Sequence, residues 1–277
     1  MSHKRRVGVL GFGHVGQHLI NAIRQSSDHE LAFVWNRTSS TLEGKVEPHL
    51  ILDNLLKFKD KKPDLIIEVA HPSVVQNFGA LFLAEADLMV GSPTAFAKPG
   101  TAAELIAAAK QHGCYVPSGA LWGGEDIQKM ADRGTLQALR VTMTKHPSSF
   151  RLESPLKEKN DAVSEERVVL YDGPVLDLCP LAPNNVNTMA AAAIAAHNLG
   201  FEKVQGCLVS DPAMRDWHVV EIETWGPGDR EQGTAFYVHT TRKNPAKIGH
   251  VTGNATYASF LSSMLRARDK GAGVHLC

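Results

Sequence analysis

The sequence predicts an α/β protein: a doubly wound parallel sheet followed by a second, α+β domain. Three observations support this. Short apolar runs alternate with helical patterns over the first 120 residues, strand-like runs dominate afterwards, and a glycine-rich turn joins the first strand to the first helix. Repeated β–α alternation is typical of a parallel sheet with helices on both faces. At 277 residues, the chain is long enough for two domains.

The first predicted domain covers residues 1–120. Its third apolar run, residues 64–69, is continuous and rich in Ile and Val, as expected of a strand buried on both faces. The predicted strands are residues 5–10, 31–35, 64–69, 88–91 and 114–117. The predicted helices follow the glycine turn to residue 24, span 73–86, and run from a capping box at Thr101 and Glu104 to about residue 112.

The second predicted domain covers residues 121–253, and residues 254–277 contain a last helix, at about 256–267. Runs of strands with few helices predict an antiparallel sheet. The strands are expected at 136–144, 167–171, 204–210, 218–224 and 234–241, and the helices at 125–133 and 188–198. The polar segment 154–166 is predicted to be a mobile loop.

Charge and cysteine content argue against several classes of protein. The 29 Lys and Arg residues balance 29 Asp and Glu residues, so no basic excess favours a nucleic acid or a membrane surface as partner. No apolar run reaches the length of a membrane span. The four cysteines are scattered without metal-ligand spacing, which predicts no metal site and reduced thiols in a cytoplasmic protein.

The motif Gly11-Phe12-Gly13-His14-Val15-Gly16 predicts a dinucleotide site, because it lies between a predicted strand and a predicted helix. In such a turn, Gly11 allows the tight bend, Gly13 lets a pyrophosphate approach the backbone, and Gly16 lets the helix pack on the sheet. The amides at the start of the helix would then hold the phosphates. The alternative is a glycine-rich turn that binds nothing.

The residues about 20 positions after the motif bear on the choice between NADP and NAD. Asn36 and Arg37 stand where a ribose-binding acid is expected, so no carboxylate would repel a 2′-phosphate. Arg37 either pairs with that phosphate or is a solvated surface residue. NADP is therefore the preferred cofactor, with hydride transfer as the default chemistry. Ala70, after the third predicted strand, is a further expected cofactor contact.

Two polar segments in the second domain are candidates for the substrate side. Asparagines in Pro183-Asn184-Asn185-Val186-Asn187 precede a predicted helix, where capping is the simpler interpretation and contact with the nicotinamide or substrate the other. His218 shares a strand face with Val220 and Ile222. A histidine so placed is usually a core residue, but a half-buried imidazole also suits acid–base catalysis.

Segments spread over most of the chain resemble the L-aspartate dehydrogenase family. They are the glycine motif, Pro117-Ser118-Gly119-Ala120 with Gly123-Gly124, Leu170-Tyr171-Asp172-Gly173, Pro183-x-Asn185-Val186-Asn187, and Asp211-Pro212 with His218. The resemblance implies a Rossmann domain, an α+β catalytic domain that also carries a homodimer contact, and a last helix that rejoins the first domain.

The same resemblance implies oxidative deamination of L-aspartate to oxaloacetate and ammonia through iminoaspartate, with NADP or NAD. It assigns the family's active-site histidine to His218 and its cofactor-binding alanine and asparagine to Ala120 and Asn185. The two substrate carboxylates need cationic or amide partners, for which Lys145 and Asn187 are candidates. The expected partners are thus a small-molecule substrate and a second copy of the chain.

Two segments depart from the family pattern. His146 replaces the first proline of a Lys-Pro-Pro turn, and the segment from Asn244 to Gly249 lacks the Thr-Ser hydroxyls of an Asn-Pro-Lys-Thr-Ser sequence. Two alternatives therefore stay open. One is an NAD(P)-binding sensor or scaffold with impaired catalysis, and the other is an oxidoreductase of the homoserine dehydrogenase or dihydrodipicolinate reductase type.

Overall fold

The computed structural model describes residues 4–277. They form two compact units, each with its own sheet. The first contains the residues up to Pro117 together with Ser259–His275 and Cys277, and the second contains Ser118–Ala258 and Leu276. The chain therefore contributes to the first unit again after completing the second.

Residues 4–277 form eleven strands and nine α-helices. The strands are β1 (Arg5–Leu10), β2 (His29–Trp35), β3 (Leu65–Glu68), β4 (Asp87–Val90), β5 (Gly113–Val116), β6 (Ala138–Lys145), β7 (Val168–Pro174), β8 (Gln205–Ser210), β9 (Trp217–Trp225), β10 (Tyr237–Pro245) and β11 (Gly273–Leu276). The helices are α1 (His14–Gln25), α2 (Pro72–Leu83), α3 (Thr101–Ala108), α4 (Gly124–Asp132), α5 (Leu156–Asp161), α6 (Val175–Leu178), α7 (Asn187–Ala195), α8 (Gly200–Lys203) and α9 (Asn254–Arg266).

The first sheet has the order β11-β5-β4-β3-β1-β2, and the pairs among β1 to β5 are parallel. The strand order reverses between β1 and β3, so the carboxyl ends of these two strands flank a topological switch point, where such sheets bind ligands. The predicted fold class is confirmed. The short strand β11, which the sequence analysis did not predict, lies beside β5.

The core of the first unit explains why the apolar runs form strands. Val7 and Val9 of β1 and Ile67 of β3 are fully buried between helices. On one side they pack in a single cluster with Ile20 of α1 and Met264 of α9. Burial of whole strands on both faces produces continuous apolar runs rather than an alternating pattern.

The second sheet has the order β10-β9-β6-β8-β7. β6 pairs antiparallel with β9 but parallel with β8, so the prediction of a purely antiparallel sheet is wrong for this pair. The physical reason is the connection: the chain passes through β7 and four α-helices (α5 to α8) between β6 and β8. β9 alternates buried with half-buried residues after the exposed Trp217, as expected for a sheet with one covered face.

Two local predictions are also wrong. Thr101 is the first residue of α3 rather than its cap. The N-cap residue is Gly100, at φ +86°, so no side chain caps this helix. The segment 154–166, predicted as a mobile loop, contains α5, because Leu156 and Asn160 lie one turn apart and are both buried.

Candidate nucleotide and catalytic sites

The glycine motif lies at the carboxyl end of β1 and enters α1 directly. Gly11 adopts φ +112°, and a Cβ atom there would lie 2.6 Å from the carbonyl oxygen of Val69. A Cβ atom at Gly16 would overlap the carbonyl oxygen of Gly11. These two glycines are therefore required by the turn itself, which makes a side chain impossible at either position without a backbone shift.

Gly13 differs from both, because a Cβ atom there would meet no atom within 4 Å. It is exposed, and it caps α1 without any side-chain hydrogen bond. No acidic residue lies in the first turn of α1. The open space over Gly13 and the positive end of a 12-residue helix fit the phosphates of a dinucleotide. Of the other motif residues, His14 is exposed, and Phe12 and Val15 are half-buried.

A pair of glycine substitutions separates the two roles. We expect Gly13→Ala to keep the melting temperature of the wild type but to weaken cofactor binding by at least about tenfold, because the methyl group occupies the space of a phosphate. We expect Gly16→Ala to lower both stability and binding. Calorimetry with NADP and thermal unfolding measure the two effects. Unchanged cofactor affinity in Gly13→Ala would contradict the phosphate site.

The predicted ribose-side residues have different surroundings. The Asn36 side chain accepts a hydrogen bond from the Phe12 amide at 3.2 Å and donates to Thr41 Oγ1 at 2.9 Å. It thus connects the glycine turn to the loop after β2. Arg37, the next residue, is exposed. Its guanidinium is accessible to a phosphate, as the preference for NADP requires.

Glu68, at the end of β3, organises the other side of the switch point. Its carboxylate is fully buried and accepts hydrogen bonds from the amides of Ala70 (2.7 Å), His71 (2.8 Å) and Ser92 (3.0 Å). The Ser92 hydroxyl donates a fourth, at 3.1 Å. Burial raises the pKa of this carboxyl to about 7, against the opposing effect of these hydrogen bonds. Glu68 therefore joins the loops after β3 and β4 and holds Ala70 in place.

In the second unit, three polar residues lie in a row across neighbouring strands. Asn244 of β10 is directly opposite His218 of β9. On the other side of β9, Val219 is opposite Thr144 of β6, and continuing this register by one residue brings Lys145 opposite His218. Residues directly opposite in an antiparallel pair share a face. All three members of the row are buried, with exposed fractions of 3% for Lys145, 5% for His218 and 3% for Asn244.

The His218 imidazole is buried but incompletely hydrogen-bonded: its Nε2 atom has no partner within the described residues. Burial, the largest cause, and the positive charge of Lys145 together lower the pKa of His218 to about 3, although a hydrogen bond to the backbone of His250 acts in the opposite direction. The ring is therefore neutral at pH 7. An unpartnered buried ring nitrogen is costly, and such atoms are often found where a ligand or water completes the site.

Among the described residues, no Asp or Glu carboxylate lies within 4 Å of the Lys145 ammonium. Nζ donates to the Val251 carbonyl at 3.2 Å and lies 5.7 Å from the centre of the Phe150 ring. Burial lowers the pKa of this amine to about 8. A buried cation without a carboxylate partner destabilises the fold, and a carboxylate ligand would relieve the cost.

The remaining predicted residues have structural contacts of their own. The Asn185 side chain accepts from the Arg151 amide at 2.8 Å and donates to the Ser149 carbonyl at 3.4 Å, so it holds the loop that follows Lys145. Asn187 is the first residue of α7. Ala120 is half-buried in the turn after Gly119. That Asn185 and Ala120 contact a cofactor, and Asn187 a substrate, stays a prediction.

Three residues of these sites were not singled out from the sequence. Glu68 had a signal, since it is the one charged residue inside an otherwise apolar strand, β3. Arg242 lies on the same face of β10 as the buried Asn244. The predicted strand ends one residue earlier, at residue 241. His250 gave no signal, because its contact with His218 depends on tertiary structure.

Within residues 4–277, no group of three or more His, Cys, Asp or Glu side chains is arranged to hold a metal ion. In the same part of the chain, none of the helices has the length and apolar character needed to cross a membrane. Cys114, Cys179 and Cys207 are buried free thiols.

The fold and the glycine turn define the class of protein: an NAD(P)-binding oxidoreductase with two domains. Residues 11–117 match the family model "Homoserine dehydrogenase, NAD binding domain". Residues 126–263 match the model "Aspartate dehydrogenase, C-terminal".

Relatives narrow the class. The chain is 53% identical to the aspartate dehydrogenase domain-containing protein of Xenopus tropicalis, over the whole of both chains. It is 30% identical to the L-aspartate dehydrogenase of Methanococcoides burtonii, over 79% of this chain and 83% of the relative. The crystal structure of aspartate dehydrogenase from Thermotoga maritima shares the fold, with a TM-score of 0.70, 19% identity, and coverage of 97% of this chain and 98% of that one. The chain belongs to the aspartate dehydrogenase family, which confirms the resemblance.

Proposed function

We propose that the chain catalyses NAD(P)-dependent oxidative deamination of L-aspartate to oxaloacetate and ammonia through iminoaspartate. The observation that carries this proposal is the pairing of a neutral His218, whose Nε2 atom has no partner, with the buried cation Lys145. A base and a carboxylate-binding cation on one face of a sheet are what this substrate requires. Family membership supports the same reaction.

His218 acts as the acid–base group. Bound NAD(P)⁺ would accept the hydride that leaves C2 of the substrate. Nε2 accepts a proton from the α-ammonium group, so that the nitrogen lone pair can form the imine as the hydride leaves. Once the ring has released that proton to solvent, the neutral imidazole takes a proton from the water that adds to C2 of iminoaspartate, and it returns this proton to the nitrogen as the C–N bond breaks and ammonia leaves.

The low pKa of His218 in the free protein does not oppose this role. The two largest causes that lower this pKa are burial and the charge of Lys145. A dicarboxylate substrate brings two negative charges close to the ring, which offset the effect of Lys145 and raise the pKa of the imidazole. The residue is thus neutral before the substrate binds and becomes a stronger base when the substrate is in place.

The experiment that tests the function is an assay of purified protein with L-aspartate and a panel of other amino acids, using NADP and NAD in parallel. We expect NAD(P)H formation with L-aspartate, matched by equal amounts of oxaloacetate and ammonia. We also expect a higher kcat/KM with NADP than with NAD, because Arg37 is exposed and no carboxylate stands at the ribose-binding position to repel the 2′-phosphate. Cofactor binding without turnover of any amino acid would instead support the sensor or scaffold.

The third candidate, a homoserine dehydrogenase or dihydrodipicolinate reductase type of enzyme, has weaker support. A dihydrodipicolinate reductase from Paenisporosarcina shares the fold, with a TM-score of 0.53, but at 12% identity this likeness concerns the fold alone. The match of residues 126–263 to the aspartate dehydrogenase model favours aspartate. A higher kcat/KM for another substrate would overturn the choice. The homodimer and the cytoplasmic location stay predictions.

A further inference from the structure

Arg242 lies on the same sheet face as His218 and Lys145. It is two residues before Asn244 on β10, and it is opposite Val220, which is 1% exposed and belongs to the covered face of β9. β9 lies between β6 and β10. Lys145 and Arg242 therefore lie on the two strands that flank His218. The backbones of these two strands, β6 and β10, are separated by two strand spacings, or about 10 Å.

The guanidinium of Arg242 is half-buried and has spare donors. Nη1 donates to the Gly119 carbonyl at 3.2 Å, which uses one of five N–H groups. No carboxylate of the described residues lies within 4 Å of it. Burial lowers the pKa of Arg242, although the group stays charged at every working pH.

Arg140 shows what a structural arginine looks like in the same sheet. It lies on β6, it is also half-buried, and it pairs with Asp172 at 2.7 Å and Glu223 at 3.9 Å. Arg242 is half-buried too, but among the described residues it has no carboxylate partner of this kind. A guanidinium in this state binds a carboxylate well, because two parallel N–H groups match the two oxygens.

We propose that Arg242 binds the side-chain carboxylate of the substrate and so restricts the site to dicarboxylic amino acids, while Lys145 binds the α-carboxylate. This inference rests on the proposed function for the identity of the substrate. It assigns the two carboxylates to two cations on opposite sides of His218. The C2 atom that loses hydride, which lies next to the α-carboxylate, is then close to the imidazole.

Binding of an unreactive ligand tests this without requiring turnover. We would titrate the NADP-loaded protein with succinate and with butyrate, which lacks one carboxylate, by calorimetry. We expect Arg242→Met to weaken succinate binding on the order of 100-fold, the typical cost of removing one partner of a buried charge pair, with butyrate unchanged. Arg242→Lys should recover part of the loss. Lys243→Met is the control, since Lys243 is the next residue, exposed on the other face of β10.

The kinetic counterpart is the ratio of kcat/KM for L-aspartate to that for L-2-aminobutyrate. In Arg242→Met this ratio should fall on the order of 100-fold, mainly through KM for aspartate. Equal loss for both substrates, an unchanged ratio, or no succinate binding by the wild type would each overturn the inference. If succinate binding depends on Arg242 but no amino acid is oxidised, the proposed function fails and the carboxylate site stands. Melting temperatures identify any variant that is misfolded.

Discussion

Replacing His218 with alanine is expected to lower kcat for L-aspartate by about 1000-fold, within the range usual for loss of a general acid–base group. The dissociation constant for NADP should change less than about twofold, because the glycine turn and the α1 amides that would hold the phosphates belong to the first unit and its sheet, whereas His218 belongs to the second sheet. The measurements are steady-state kinetics and calorimetry on the same protein.

Two further observations distinguish catalysis from structure. The melting temperature should fall, because alanine leaves a cavity in place of the buried ring and loses the hydrogen bond to the His250 backbone, so activity is compared at a temperature where both proteins are folded. Free imidazole should restore part of the activity by occupying the space of the ring. His239→Ala is the matched control, since His239 is exposed on β10, where it lies 3.6 Å from the Glu221 carboxylate and stacks on Tyr237 with ring centres 6.5 Å apart. A His218→Ala enzyme with kcat within tenfold of the wild type would remove the assignment.

Replacing Lys145 with methionine is expected to make the protein more stable and much less active. Methionine fills a similar volume without burying a charge, so the melting temperature at pH 7 should rise by roughly 3 °C or more. The loss of a cation that binds a carboxylate should lower kcat/KM for L-aspartate on the order of 100-fold. Thermal unfolding and initial rates measure the two effects.

The gain in stability should depend on pH in a defined direction. The pKa of Lys145 is about 8 in the folded protein and 10.5 in its ordinary state, so between these values the unfolded chain binds more protons. The wild type therefore gains stability from this group as pH rises from about 8 to 10.5, and the advantage of Lys145→Met shrinks over the same range. An advantage equal at pH 7 and pH 10 would contradict the buried charge.

Local signals explain what could be predicted. The glycine motif needs only neighbouring residues for its geometry, and β1 was predicted with its observed bounds, Arg5–Leu10. β3 was recognisable because a strand buried on both faces is apolar throughout. Two predictions were wrong because another effect prevailed. Thr101 fits a capping box, but Gly100 is the N-cap residue. The segment 154–166 is rich in charged residues, so its sequence does not show that Leu156 and Asn160 are buried.

The sequence by itself determined the doubly wound class and the position of the glycine turn, because each depends on residues close together in the chain. The prediction of His218 came instead from the resemblance to a family, which extends over most of the chain. Only the tertiary structure decided which side chains accompany that histidine. Lys145, His218 and Arg242 come from three strands and meet through the register of β6, β9 and β10. Strand pairing brings together residues that are almost 100 positions apart in the chain. The pKa of each side chain then depends on how deeply it is buried, and a local sequence pattern does not give that burial.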